Sequence, residues 1–129
     1  MSEVPEIIKK VGFDFHWDSK KVWALNVPVT EMSLRELDWH FQIPFWDKEG
    51  TDAYNLTPQE VINHPEREPT HWRMIQEADT SHPIDIMENK GRWLILDGLH
   101  RLVKEFLADK KSVCVRIVSR DLIPQILKN

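Results

Sequence analysis

Several residue types and patterns are scarce in this 129-residue sequence, and each scarcity excludes a class of protein. A single cysteine, Cys114, excludes an internal disulfide, and its place in an alternating apolar run predicts a small buried hydrophobic residue. No apolar run reaches the roughly 20 residues of a transmembrane helix, and the N-terminus lacks the basic and apolar pattern of a secretory signal. We therefore expect a cytoplasmic protein with no membrane partner.

The common nucleotide-binding and hydrolase motifs are also missing. The sequence contains no Gly-x-x-x-x-Gly-Lys-Ser/Thr loop, no Gly-x-Gly-x-x-Gly turn and no Gly-x-Ser-x-Gly elbow. The histidines form no zinc-binding pattern, because two prolines separate His64 from His71 and a single cysteine is available to join them. We therefore expect no metal site.

The composition is that of one ordinary globular domain over residues 1–129, with 41% hydrophobic and 29% charged residues. The net charge of −4 is unevenly distributed, since residues 1–88 hold 8 basic and 17 acidic residues whereas residues 89–129 hold 9 and 4. The basic segment could attract an anionic partner, or it could fold among acidic residues into a mixed surface. An acidic chain lacks the basic excess of an autonomous DNA-binding protein.

The first half of the chain carries one strand pattern and several helix signals. Alternation and β-branched residues predict a strand over 22–29, and a Ser-x-x-Glu capping box predicts a helix over 34–41. A second capping box that starts at Thr57 predicts a short helix, which Pro65 ends. A further helix is predicted over 70–78.

The second half carries the stronger pattern. It predicts a strand over 83–87, a hairpin turn over 88–91, a strand over 92–96, a helix over 99–108, a strand over 112–118 and a short helix over 121–127. This order predicts an α+β fold in which a small mixed β-sheet is flanked by helices.

The junction between the second strand and the helix that follows it carries the most chemistry. Asp97-Gly98 forms the turn, and His100 and Arg101 lie in the first helical turn, off the apolar stripe formed by residues 99, 102, 103, 106 and 107. A helix N-terminus favours an anion, and arginine adds a forked donor for phosphate or carboxylate. The sequence therefore predicts an anion site built from Gly98, Leu99, His100 and Arg101.

Two of these residues are also candidate catalytic groups. His100 could donate a hydrogen bond or pass a proton, and Asp97 could cap the helix, orient Arg101 or hold a metal-bound water. The alternative is structural, with Asp97 as the N-cap, Gly98 as a turn residue and Arg101 in a surface ion pair.

Residues 82–118 resemble the ParB/sulfiredoxin-like superfamily, through the strand that begins at Pro83, the turn over 96–101 and the closing strand over 113–118. Residues 22–30 look like the opening strand of the same fold. The resemblance implies a core formed by about 22–46 and 82–118, with 47–80 as a helical insertion. It also implies that the turn binds phosphate groups, with a nucleotide and Mg²⁺ as the expected cofactor and phosphotransfer as a reaction that such a site could support.

The sequence departs from this family at the turn itself. Sulfiredoxins carry a nucleophilic cysteine where this chain has Leu99, so their repair chemistry is not implied. Related small-metabolite kinases need an acidic base, for which Glu31 and Glu36 are the available candidates.

Three functions remain open at this stage. The first is a phosphate- or nucleotide-binding domain, and the second is a DNA-associated accessory module of the partition or phage type, without catalysis. The third is an interaction domain without chemistry. The sequence leaves enzymatic activity and oligomeric state undecided, and the aromatic segment 39–46 could either stack a base or pack in the core.

Overall fold

The computed structural model describes residues 4–51 and 54–128. Within these residues, a four-stranded mixed sheet has the spatial order β1-β4-β2-β3, which confirms the α+β class. The strands are β1 (Val29–Ser33), β2 (Ile84–Asn89), β3 (Arg92–Asp97) and β4 (Ser112–Ile117). The helices are α1 (Glu6–Lys10), α2 (Ser19–Trp23), α3 (Pro58–Asn63), α4 (Pro69–Glu77), α5 (Leu99–Leu107) and α6 (Ile123–Ile126). None of the helices in this part of the chain is long and apolar enough to cross a membrane.

The hairpin and the helix that follows it match the sequence prediction. Lys90 and Gly91 have φ angles of 52° and 79°, the left-handed conformation that joins β2 to β3 in a tight antiparallel turn. Helix α5 then returns the chain to β4, which pairs parallel to β2 and antiparallel to β1. The strands predicted over 83–87, 92–96 and 112–118 are therefore confirmed.

The inner strand β2 is covered on both faces, because its side chains alternate between two clusters of buried residues. Ile84 and Ile86 of β2 pack with Leu102 of α5 on one face, in a cluster that also includes residues of α3 and α4. Met87 packs on the other face with Val22 of α2 and with α6. Residues of the 47–80 segment join the first cluster, namely Leu56, Val61 and Ile75.

The strand predicted over 22–29 is wrong. Residues 19–23 form helix α2, and the chain then runs as a loop until β1 begins. Arg116 donates a hydrogen bond to the carbonyl of Leu25, so a side chain takes the place of a strand partner there. Pro28 lacks an amide hydrogen, and pairing with β4 begins only at its carbonyl.

The helix predicted over 34–41 is replaced by two 3₁₀ helices, Leu34–Glu36 and Asp38–Gln42. Leu37 between them has φ −117° and is fully buried, so tertiary packing breaks the α-helical path. The predicted helix over 121–127 is similarly divided into a 3₁₀ turn and α6. The capping box at Thr57 is confirmed at the start of α3, and α4 agrees with the helix predicted over 70–78.

Cys114 is exposed, which contradicts the prediction of a buried residue. Val113 and Val115 are the buried residues of β4, so the period of two in a strand turns Cys114 to the opposite face. Trp93 is partly buried against the cluster that contains Ile84 and Ile86. Phe41 and Trp46 of the aromatic segment 39–46 belong to the same cluster.

Candidate functional site

The junction between β3 and α5 depends on a glycine. Gly98 has φ +117°, and a Cβ atom there would lie 2.9 Å from Nη2 of Arg101. Gly98 is the N-cap residue of α5, and no side chain caps the helix, so Asp97 does not act as the N-cap. The first amides of α5 lack intrahelical acceptors, as at every helix start. The junction therefore presents uncapped N–H groups.

A cavity of about 610 Å³ lies at this junction. All of the predicted site residues line it, from Asp97 to Arg101. The wall is completed by residues from other parts of the chain, namely Trp23, Ala78, Asp79, His82, Ile95 and Leu96. Glu31 and Glu36 are absent from the described lining, since β1 forms the opposite edge of the sheet.

Arg101 and Asp97 are held by internal hydrogen bonds. Arg101 donates from Nη1 to the carbonyl of Pro83 at 3.1 Å and from Nη2 to Oδ2 of Asp97 at 3.0 Å. The indole N–H of Trp23 donates to the same carboxylate oxygen at 2.7 Å. This carboxylate oxygen therefore connects α2, β3 and α5 around the cavity, and it already receives two hydrogen bonds.

The ionisable side chains that line the cavity, apart from its histidines, carry one more negative than positive formal charge. Among the described residues that line it, Arg101 is the only permanent cation, whereas Asp79 and Asp97 are acidic. Hydrogen bonds from Ser81 lower the pKa of Asp79 and keep it ionised. An anion in this cavity would therefore be bound mainly by the backbone amides of α5, with the guanidinium as a partly engaged second donor.

His100 lies in a stack that sequence reasoning did not find. Its ring lies 4.2 Å from the indole of Trp46, at an angle of 10°. The ring of His71, from α4, stacks on the same indole at 4.7 Å, and Nδ1 of His71 lies 3.1 Å from Nε2 of His100. Burial, and secondarily the neighbouring His71, lower the pKa of His100 to about 4, so the imidazole is neutral at physiological pH.

A second cavity, of about 620 Å³, adjoins the first. The two share Trp23, Ile95, Leu96 and Leu99 in their walls, and Trp23 is 55% exposed. The lining of the second cavity is rich in aromatic rings, among them Phe13, Phe15, Trp17, Phe45, Trp46 and Tyr54. This cavity therefore offers flat apolar surfaces next to the polar junction.

Trp23, His71 and His82 complete the site, and sequence reasoning assigned a role to none of them. His71 was considered only as a metal ligand, and in residues 4–51 and 54–128 no group of three or more His, Cys, Asp or Glu side chains is arranged to hold a metal ion. The aromatic segment 39–46 was the one sequence signal that included Trp46.

Comparison with protein-family models, with curated proteins and with solved structures finds no match to this chain. The resemblance to the ParB/sulfiredoxin-like superfamily and the DNA-associated alternative therefore both stay predictions.

Proposed function

We propose that the protein binds a phosphate-bearing small molecule in the cavity between β3 and α5, as a small domain of the ParB/sulfiredoxin-like type. The observation that carries this proposal is the cavity of about 610 Å³ at the uncapped N-terminus of α5. Uncapped N–H groups and the helix dipole both favour a negative group at this end of a helix. Gly98 supports the proposal, because the absence of a Cβ atom lets the guanidinium of Arg101 lie close to the backbone at this helix end.

A nucleotide is the phosphate compound that fits the surroundings best. Its phosphate would lie at the amides of α5, and its base would reach the aromatic cavity that shares Trp23 and Leu99 with the first. Stacking on an exposed indole ring contributes about 1–3 kcal/mol of binding free energy per base, and it does not depend on which base is bound. Because two carboxylates face one guanidinium in the lining, the cavity favours a ligand with few phosphates over a triphosphate without Mg²⁺.

His100 and Asp97 are the candidate proton acceptors for a phosphotransfer reaction in this cavity, and the low pKa of His100 makes its imidazole a weak base. Oδ2 of Asp97 already accepts hydrogen bonds from Trp23 and Arg101, whereas His100 is neutral and lines the cavity. Binding is the core of the proposal, and turnover is a separate measurement.

A thermal-shift titration tests the binding. Inorganic phosphate and nucleoside mono-, di- and triphosphates are each added with and without Mg²⁺, and a ligand at 100 times its Kd stabilises by about 2.7 kcal/mol. Ala78, a small half-buried residue of the cavity wall, provides a matched pair of variants. We expect Ala78→Glu to abolish the shift through its charge, and Ala78→Gln, which has the same size, to retain it.

Two results would overturn the proposal. One is the lack of any shift with every phosphate compound in the wild-type protein. The other is a ligand that stabilises Ala78→Glu as much as Ala78→Gln, provided that circular dichroism shows both variants folded.

A further inference from the structure

The two stacked histidines are coplanar and hydrogen bonded to each other. The rings of His71 and His100 lie at 10° to one another, with 3.1 Å between Nδ1 of His71 and Nε2 of His100. Both rings face the same indole, that of Trp46. One of the two nitrogens in this contact must donate and the other must accept.

The carbonyl of Asp47 decides which nitrogen donates. It lies 2.9 Å from Nε2 of His71, and because a carbonyl oxygen only accepts, the proton of His71 is on Nε2. When His71 carries this one ring proton, its Nδ1 is a bare acceptor, so Nε2 of His100 carries the proton of their shared hydrogen bond. The lowered pKa of His100, about 4, keeps its ring neutral. Nδ1 of His100 is therefore without a proton.

This nitrogen is available to a ligand. Within the described part of the chain, Nδ1 of His100 has no hydrogen-bond partner. No described side-chain nitrogen or oxygen is both fully buried and unpartnered, so this atom is not completely buried. His100 lines the cavity at the start of α5.

The loop that carries Trp46 and Asp47 is held against the start of α4 by hydrogen bonds. The contacts of His71 with this loop therefore do not rest on an unattached segment. The amide of Glu49 donates to the buried Glu68 at 2.8 Å, and the hydroxyl of Thr70 donates to Glu49 at 2.7 Å. Helix α4 is in turn fixed to α5, because Lys104 donates to the carbonyls of Gln76 and Ala78 at 2.7 and 2.8 Å.

We propose that Nδ1 of His100 accepts a hydrogen bond from a hydroxyl group of the bound ligand, so that the cavity selects hydroxyl-bearing phosphate esters. The inference rests on the proposed function, since it concerns the same cavity. His71 is a positioning residue, which holds His100 in the tautomer that accepts. An ammonium group is a less suitable donor here, because the nearby helix N-terminus repels positive charge.

The tautomer is measured directly by long-range ¹H–¹⁵N correlation spectra of the histidine rings at pH 7.5, without a ligand. We expect His100 as the Nε2–H form, and a dominant Nδ1–H form or a charged ring would overturn the inference. His71→Phe keeps an aromatic ring on Trp46 but removes the acceptor, so the His100 signals should move toward a mixture of tautomers. His64→Phe is the control, because His64 is exposed and pairs only with Glu66 among the described residues.

Ligand selection is measured by titration with glycerol 3-phosphate and with propyl phosphate, which has the same number of carbons and no hydroxyl. One hydrogen bond of about 1 kcal/mol corresponds to roughly fivefold tighter binding of glycerol 3-phosphate. We expect His100→Phe to remove this preference, so that glycerol 3-phosphate and propyl phosphate bind the variant with equal affinity. Loss of both affinities to the same extent in this variant would overturn the inference.

The two proposals fail in distinguishable ways. Equal binding of both esters to the wild-type protein overturns the hydroxyl selection and leaves the proposed function standing. If neither ester nor inorganic phosphate binds, the proposed function and the hydroxyl-bearing ligand are both overturned, whereas the spectra still decide the tautomer of His100.

Discussion

His40 and His100 are neutral histidines in similar surroundings, and they differ in how many ring nitrogens the protein itself uses. His40 stacks on Trp39 at 3.8 Å and His100 on Trp46 at 4.2 Å. Burial lowers the pKa of His40 to about 3 and that of His100 to about 4. The comparison shows that a stacked, desolvated imidazole is not by itself a functional one.

The difference lies in the hydrogen bonds. Nδ1 of His40 donates to the carbonyl of Leu37 at 2.7 Å, and its Nε2 accepts from the amide of Ile95 at 3.0 Å. Both nitrogens of His40 therefore serve the fold, whereas His100 uses one nitrogen with His71 and keeps the other at the cavity. His100 is held by one side chain rather than by two backbone groups, so one of its ring nitrogens has no partner among the described residues.

The largest expected effect is the loss of stability when His40 is removed. His40→Leu leaves the buried amide of Ile95 and the carbonyl of Leu37 without partners, which we expect to lower the free energy of unfolding by about 3 kcal/mol. His100→Leu removes one partly buried hydrogen bond, and we expect a loss below about 1 kcal/mol. Urea unfolding measures both, and equal losses would contradict the distinction between the two histidines.

The second effect is on the pH dependence of stability. Unfolded histidine takes up a proton near pH 6.5, but folded His40 and His100 resist protonation until about pH 3 and 4. Between these values the unfolded state binds more protons than the folded state. The contribution of the two histidines to the free energy of unfolding is therefore fully present above pH 6.5 and decreases as the pH falls. Each histidine contributes a slope of at most about 1.4 kcal/mol per pH unit.

The variant His100→Leu separates the two contributions. We expect its unfolding free energy between pH 4 and 6 to fall less steeply than that of the wild-type protein, by about 1.4 kcal/mol per pH unit. Carboxyl groups also titrate in this range, but their contribution cancels in the difference between the two proteins. An unchanged slope would show that folded His100 takes up its proton at an ordinary pH.

A third, smaller effect concerns the glycine beside His100. Gly98→Ala places a Cβ atom 2.9 Å from Nη2 of Arg101 at a φ of +117°. Gly50→Ala is the matched control, because Gly50 has φ +81° and a Cβ atom there would meet no atom within 4 Å. We expect Gly98→Ala to lower the free energy of unfolding by about 1 kcal/mol more than Gly50→Ala does, and to weaken phosphate binding. Equal losses in the two variants would show that the side chain of Arg101 moves aside without a cost in stability.

The smallest effect is expected for His71→Phe. The ring and its stack on Trp46 are kept, and the lost hydrogen bonds involve partly buried groups, so we expect a change in unfolding free energy of about 0.5 kcal/mol. A loss as large as that of His40→Leu would mean that His71 is a structural residue rather than a positioning one.

Local signals predicted the part of the fold between His82 and Val118. The hairpin is set by the left-handed conformations of Lys90 and Gly91, and α5 by its apolar stripe, so both follow from residues close in sequence. The strand predicted over 22–29 failed because Asp18 caps helix α2 over its first residues, and because Arg116, which is remote in sequence, bonds to the carbonyl of Leu25. Such long-range contacts leave no periodic signal in one sequence.

The same division applies to the candidate site. Residues 97–101 form a contiguous motif, which sequence reasoning identified and which lines the cavity as a unit. Trp23 reaches the cavity from α2, whereas His71 of α4 acts on it only through its contact with His100. The internal bonds of Arg101 also depend on Pro83, and the sequence does not show that the guanidinium is engaged.

The contact between His40 and Ile95 also occupies a backbone amide of an edge strand. β3 is an edge strand, and an edge amide without a partner is a template on which another chain can add a strand. The amide of Ile95 donates to Nε2 of His40. Protonation of this ring in acid would remove the acceptor, which would weaken the fold and leave the amide of the edge strand unpaired. We therefore expect light scattering to increase as the pH approaches 3, and a protein that unfolds in acid without any such increase would contradict this.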